Sequence, residues 1–233
     1  IGIKVNRNSE CMVLTQPVLL QSFSDEFNLP GNAQDTPALP GSVLVPSEIK
    51  LEPSMQTHCR SGVGKLLYLM QWSRPDIANS VRELSRYMTG ANAAHLKAMH
   101  RVMDCCVQTS NRGKIIKPNR HCSWNKLKGF EFVISGSSDS DYAKDPIRCH
   151  SVSGYATFLE GANVSQVSCM QRSTVLSVTE AELSSATECC EDVMCLHRLL
   201  LSMGLSICHP MIIEINNQGA IDLSNNWSTA GRT

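Results

Sequence analysis

Apolar residues recur at two different spacings along this chain, and the change from one to the other divides it. Between residues 61 and 109 they recur three and four apart: Leu84, Tyr87 and Met88, then Leu96, Met99, Val102, Met103 and Val107. That period places them on one face of a helix and predicts helices over residues 61–72, 75–88 and 93–109. Pro75 followed by Asp76 suits a first turn, because proline lacks the amide a helix start leaves unbonded and an acid complements the helix dipole. From residue 129 onward short apolar runs predict strands over 129–135, 152–159 and 164–170. A long helix over 180–203, closed by Gly204, follows, then a strand over 211–215 and a short helix over 219–223. Antiparallel strands, a crossover helix and a returning strand make a mixed α/β sheet.

The remaining segments are read from their punctuation. Residues 1–5 alternate like a strand. Residues 24–53 are rich in proline and turn residues and are expected to be extended or mobile. Residues 111–128 hold Asn, Gly, Pro and Lys with little periodicity and read as a linker.

Charge sharpens the division. Formal net charge is zero over 233 residues, with 21 basic and 21 acidic side chains. Residues 1–57 carry 3 basic and 6 acidic side chains, residues 58–130 carry 13 and 3, and residues 131–233 carry 5 and 12. A basic helical block beside an acidic one suggests one surface for phosphates and another for a metal ion. Arg74, Arg82, Arg86, Lys97 and Arg101 are the candidate nucleic-acid contacts, although a solvated helix face explains any one of them equally well.

Composition excludes several classes. Hydrophobic residues make up 42%, enough for a core, yet no apolar run reaches the roughly 20 residues that span a bilayer, so no membrane partner is expected. The start lacks the form of a signal peptide. The 11 Cys form no Cys-x-x-Cys pair, and Cys105-Cys106 and Cys189-Cys190 are adjacent, a poor layout for tetrahedral zinc. Reduced thiols in a cytoplasmic or nuclear setting fit best. Ser61-Gly62-Val63-Gly64-Lys65 looks superficially like a phosphate loop, but its glycine spacing is wrong and Leu66 stands where Ser or Thr is needed.

The chemistry lies in the acidic block. Ser138-Asp139-Ser140-Asp141 follows the first strand, Thr179-Glu180-Ala181-Glu182 opens the long helix, and Asn216-Asn217-Gln218 follows a later strand. Acids at such positions can converge on magnesium, which prefers carboxylate and water oxygens. Two-ion phosphodiester hydrolysis needs several carboxylates so that two ions sit roughly 4 Å apart. Asp139 is expected to project from a strand end, with Glu182 facing it from the helix. Asn216 offers a neutral oxygen at the third position. Each part also has an ordinary explanation: Asp-x-Asp favours turns, Thr179 and Glu182 suit a capping box, and Asn216-Asn217 marks a turn.

The order of these pieces resembles the reverse transcriptase and ribonuclease H part of copia-type retrotransposon Pol polyproteins. The similarity rests on Ser138–Ala143, Ser177–Glu182 and Asn216–Ala220, with Asn216 replacing the leading Asp of the third motif. Upstream, residues 60–69 and Arg74-Pro75-Asp76-Ile77 resemble the segment following the polymerase palm, and residues 15–28 the segment just before it. The resemblance implies a palm remnant and extended segment over 1–57 and a basic helical thumb or connection segment over 58–110. After the linker it implies a C-terminally truncated ribonuclease H-like domain over 129–233. Asp139, Glu182 and position 216 become the catalytic positions, with magnesium held by Asp139 and Glu182. An RNA–DNA hybrid or duplex nucleic acid and the remainder of the Pol polyprotein become the partners. The polymerase Tyr-x-Asp-Asp motif and a fourth acid are not in this sequence. The expectation is therefore a catalytically impaired polyprotein fragment that keeps a nucleic-acid surface. The alternatives are an active magnesium-dependent ribonuclease H and a degenerate remnant without function.

Overall fold

The computed structural model describes residues 2–117 and 131–225. The chain divides between Ile116 and Lys117 into two compact units. Together they contain both helices and sheets, so the fold is mixed α/β. Residues 118–128 of the expected linker lie outside the described residues, and residues 114–116 belong to a strand of the first unit.

The first unit opens with strands β1 (Lys4–Arg7) and β2 (Met12–Thr15), followed by helices α1 (Pro17–Phe27) and α2 (Pro53–Trp72). Both helices carry proline in the first turn, where its missing amide costs nothing. Helix α2 starts well before residue 61, because its polar opening turns lack the apolar spacing that marks its later half. A 3₁₀ turn (Pro75–Ile77) leads into α3 (Ala78–Ser85), so the segment expected as one helix over 75–88 is broken in two. Helix α4 (Ala93–Gln108) is capped by Asn92 and followed by β3 (Lys114–Ile116), which pairs with β2.

The helices close around one core of Leu20, Phe23, Phe27, Val63, Leu66, Leu69, Val81, Met99 and Met103. The segment between α1 and α2 has no regular structure but is bonded onto the helices. Leu51 donates its amide to the Ala91 carbonyl at 2.9 Å, and the Tyr87 hydroxyl donates to the Leu44 carbonyl at 2.7 Å. Ordering comes here from tertiary contacts of this kind, with further bonds to Gln108 and packing of Leu29, Leu44 and Leu51 on the core, and not from local periodicity.

The second unit contains β4 (Glu131–Phe132), β5 (Ile134–Asp141), β6 (Val152–Leu159) and β7 (Ala162–Met170). Helix α5 (Val178–Ser202), β8 (Ser206–Ile207), β9 (Ile212–Ile215) and α6 (Gln218–Asn225) complete it. The main sheet has the order β7-β6-β5-β9, with β5 antiparallel to β6 and parallel to β9. Residues 129 and 130 of the expected first strand lie outside the described residues. That strand was expected to end at 135, yet β5 continues through Gly136-Ser137-Ser138-Asp139-Ser140-Asp141. Small turn-forming residues stay extended because β6 pairs with all eight positions. Gly204, at φ +78°, ends α5 as the sequence predicts.

Gly62 owes its place to packing and not to phosphate. A Cβ there would meet Met99 Sδ, and would lie 2.9 Å from both Met103 Cε and Phe27 Cε1. Lys65 meanwhile pairs with Glu26 at 2.6 Å. Replacing Gly62 with Ala should therefore destabilise the first unit by about 1–3 kcal/mol through overpacking. Chemical denaturation of the variant measures this, and unchanged stability would show that the methionines yield freely.

Candidate functional site

Three sequence-predicted positions come together at one end of the β5–β9 pair. Ser138 is paired with Ile215 across the parallel strands, which brings the next residues, Asp139 and Asn216, side by side. The Asn216 Nδ2 donates to Asp139 Oδ1 at 3.2 Å. Asp139 is exposed and sits inside β5, not at its end, because the strand runs two residues further. Asn217 is used differently, its Oδ1 accepting from the Ala220 amide at 2.9 Å to start α6.

Glu182 reaches the site from α5 and is 3% exposed. Its Oε1 accepts from the Ser140 amide at 3.3 Å, while Oε2 is buried with no hydrogen-bond partner among the described residues. Burial pushes the Glu182 carboxyl above its ordinary pKa, the nearby Asp139 charge adds to this, and bonding from Ser140 opposes it. The capping explanation does not hold for Glu182. Ser177 caps α5 by accepting from the Glu180 amide at 3.1 Å, and Glu180 reaches back to the Leu176 amide at 2.7 Å. Thr179 and Glu182 play no part in that cap.

Two residues that carry no obvious signal in the sequence set the geometry. Gly136 leaves room for α5, since a Cβ there would lie 2.6 Å from Cys189 Sγ. Ser185 is fully buried and donates to the carbonyls of Asp139 at 2.8 Å and Gly154 at 3.3 Å. It fixes the helix to β5 and β6 one turn beyond Glu182. A glycine within a strand often marks a close approach of backbone or helix, but the strand expected from sequence stopped at 135, so Gly136 did not stand out. Asp141, by contrast, is exposed and pairs with Lys144 at 2.9 Å.

Among the described residues, no group of three or more His, Cys, Asp and Glu is placed to hold a metal ion. The donors present are two carboxylates and one amide. The unbonded Glu182 Oε2 is an oxygen of the kind magnesium prefers, whereas a two-ion clamp needs more carboxylates than these two, because Asn216 offers only a neutral amide.

The basic candidates of the first unit separate into three kinds. Arg74 is 1% exposed, bonded to Asp76 at 2.8 and 2.9 Å and to the Thr109 carbonyl at 3.3 Å. It is a structural tie, which removes it from the surface cations. Arg82 and Arg86 both contact Glu83, at 2.5 and 3.3 Å, so one carboxylate offsets two guanidinium groups. Lys97 lies on α4, and Arg101, four residues on, contacts Thr36 Oγ1 at 3.2 Å.

Comparison with known proteins places the chain. It is 27% identical over 241 residues to the retrovirus-related Pol polyprotein from transposon TNT 1-94 of Nicotiana tabacum, a match covering 100% of this chain and 17% of that protein. The corresponding polyprotein from transposon RE1 of Arabidopsis thaliana is 32% identical over 170 residues, 73% of this chain and 11% of its own length. A secreted RxLR effector protein 161 of Plasmopara viticola is 32% identical over 140 residues, 58% of this chain and 87% of its length. No protein-family model and no solved structure matches. The chain belongs to the retrovirus-related Pol polyproteins of copia-type transposons. It spans under a fifth of the polyproteins it matches. No helix among the described residues is long and apolar enough to cross a membrane.

Glu182 carries a pH prediction. Its folded-state pKa is raised, so the folded chain holds the proton more tightly than the unfolded chain. The associated stability is present at low pH and lost as pH rises through the folded-state value. Glu182→Gln should therefore melt higher than the parent at pH 7 and equal to it near pH 4. A lower melting temperature at pH 7 would mean that the ionised carboxylate is paired after all.

Proposed function

We propose that the second unit is a ribonuclease H-like domain of a copia-type Pol polyprotein whose metal site is impaired, and that the first unit keeps a weak nucleic-acid surface. The sheet order β7-β6-β5-β9, with α5 crossing between β7 and β9, supports the domain assignment. The observation that carries the impairment is the Asn216–Asp139 hydrogen bond at the position of the third acid. An amide that donates to Asp139 stabilises that carboxylate without a cation, whereas a third acid there would repel it.

Bound magnesium would polarise a phosphodiester and stabilise the charge that develops on it. Asp139 and Glu182 would hold the ion and Asn216 would lend one neutral oxygen. Lost charge at position 216 weakens this most, since electrostatic stabilisation is usually the largest catalytic contribution. For the nucleic-acid surface, Lys97 and Arg101 replace Arg74 as the leading contacts, with Arg82 and Arg86 diminished by Glu83. Lysine and arginine bind duplexes by displacing condensed counterions, without reading sequence. The remainder of the Pol polyprotein is the expected neighbour in the full-length relatives' context.

A labelled RNA–DNA hybrid with magnesium tests both halves of the proposal. The chain should bind weakly, with affinity falling by a log–log slope of about −0.9 per phosphate neutralised, the B-DNA value. Lys97→Glu with Arg101→Glu should reduce binding more than Arg74→Gln in molecules that stay folded. No cleavage should exceed background. Robust cleavage abolished by Asp139→Asn would establish the active enzyme instead, and absence of binding at every salt concentration would favour a remnant without a nucleic-acid partner.

A further inference from the structure

His95 occupies an unusual position in the first unit. It is the third residue of α4, 1% exposed, and its Nδ1 accepts the backbone amide of Asn92 at 3.0 Å. Asn92 returns the contact, its Oδ1 accepting from the Ala94 and His95 amides at 2.9 and 3.1 Å. This is a capping box with an imidazole in the place usually held by Glu or Gln. An accepting Nδ1 carries no proton, so the neutral ring bears its hydrogen on Nε2, which is buried with no partner among the described residues.

The ring also lies at the centre of a knot. It stacks on Tyr87, with centroids 4.2 Å apart and planes at 17°. The Tyr87 hydroxyl holds the Leu44 carbonyl at 2.7 Å. Between Tyr87 and Asn92, Ala91 accepts from the Leu51 amide at 2.9 Å and from Gln56 Nε2 at 2.6 Å. The Ala91 amide in turn donates to Gln56 Oε1 at 3.1 Å. Residues 44–56 are thus fastened to the turn between α3 and α4 through the same few residues that cap α4.

A second proton on His95 disrupts this arrangement directly. Protonated Nδ1 would set an N–H against the Asn92 N–H at 3.0 Å, removing one bond and creating a repulsion. It would also bury an imidazolium with no acid bonded to it. The charged groups nearest the knot offer the imidazolium no compensating acid of their own. The Arg86 guanidinium lies 5.6 Å from the Tyr87 ring, held by Glu83, and the Lys50 side chain lies against Gly90. Burial alone already holds the His95 pKa below its ordinary value.

We propose that His95 is a proton-sensitive latch that fastens residues 44–56 to the α3–α4 turn when neutral and releases them when protonated. The sign follows from linkage: the unfastened state binds the proton more tightly, so the latch holds above the ordinary histidine pKa and weakens as pH falls below it. His100, lower on α4, is also shifted down, by burial and by His58, with Asp104 opposing. It lies outside the cap, so its contribution is common to the parent and to a His95 variant.

Amide hydrogen exchange on the full 233-residue chain reads the latch at Leu51. After correction for intrinsic exchange, protection should fall by up to roughly tenfold per pH unit below about 6.5, as one proton is taken up. His95→Gln keeps a side chain that can accept the Asn92 amide but cannot titrate; its Leu51 protection should fall clearly less than the parent's between pH 7 and 5, the remainder being the His100 contribution common to both. Nitrogen-15 imidazole shifts of the parent chain supply an independent reading should that variant misfold. His95 should remain the Nε2–H tautomer at neutral pH, and its protonation should track the loss of Leu51 protection. Flat protection in the parent, an equal fall in the Gln variant, or an Nδ1–H tautomer would each overturn the proposal.

Discussion

The site depends on how closely α5 lies on β5. A helix normally stands off a sheet by the depth of its side chains, but Gly136 has none, and Cys189 settles into the space. Ser185 then bonds directly to the backbone of two adjacent strands. This anchoring sets Glu182 against the Ser140 amide and near enough to Asp139 for their charges to interact. A Cβ at position 136 would lie 2.6 Å from Cys189 Sγ, so either that side chain or the helix carrying it must shift. The same closeness excludes water from Glu182, which explains both its burial and its raised pKa.

Asn216 changes what this geometry can do. In a three-acid site, like charges crowd together and a divalent cation relieves the repulsion. Here the amide performs part of that relief internally by donating to Asp139. The strand arrangement brings Asp139 and Asn216 side by side, and with Glu182 the donor set is two carboxylates and one amide. The first unit shows a parallel change: cations conspicuous in the sequence are bound by neighbouring acids, Arg74 by Asp76 and Arg82 and Arg86 by Glu83.

Much of the fold was legible because its signals are local. The period of Leu96, Met99, Val102 and Met103 marks α4, and Gly204 marks the end of α5. The residues that the sequence hid act through tertiary contact. Gly136 to Asp141 look like a turn and become a strand because β6 and β9 pair with them. Thr179 and Glu182 fit a capping pattern, yet Ser177 and Glu180 make the cap, and Glu182 is left for the site. Asp139, Glu182 and Asn216 were found by their order along the chain. Ser185 and Gly136 were not, since a small residue announces nothing until its neighbours are known. Net charge overstated the basic surface for the same reason: a count of cations cannot show which acids lie beside them.

If the amide at position 216 weakens magnesium binding, as proposed, restoring an acid there should strengthen it. Calorimetric titration with magnesium at pH 7, comparing the native chain with Asn216→Asp, tests it most directly. The acid should strengthen binding by at least about tenfold, equivalent to about 1.4 kcal/mol. Equal affinity in the two proteins would contradict it.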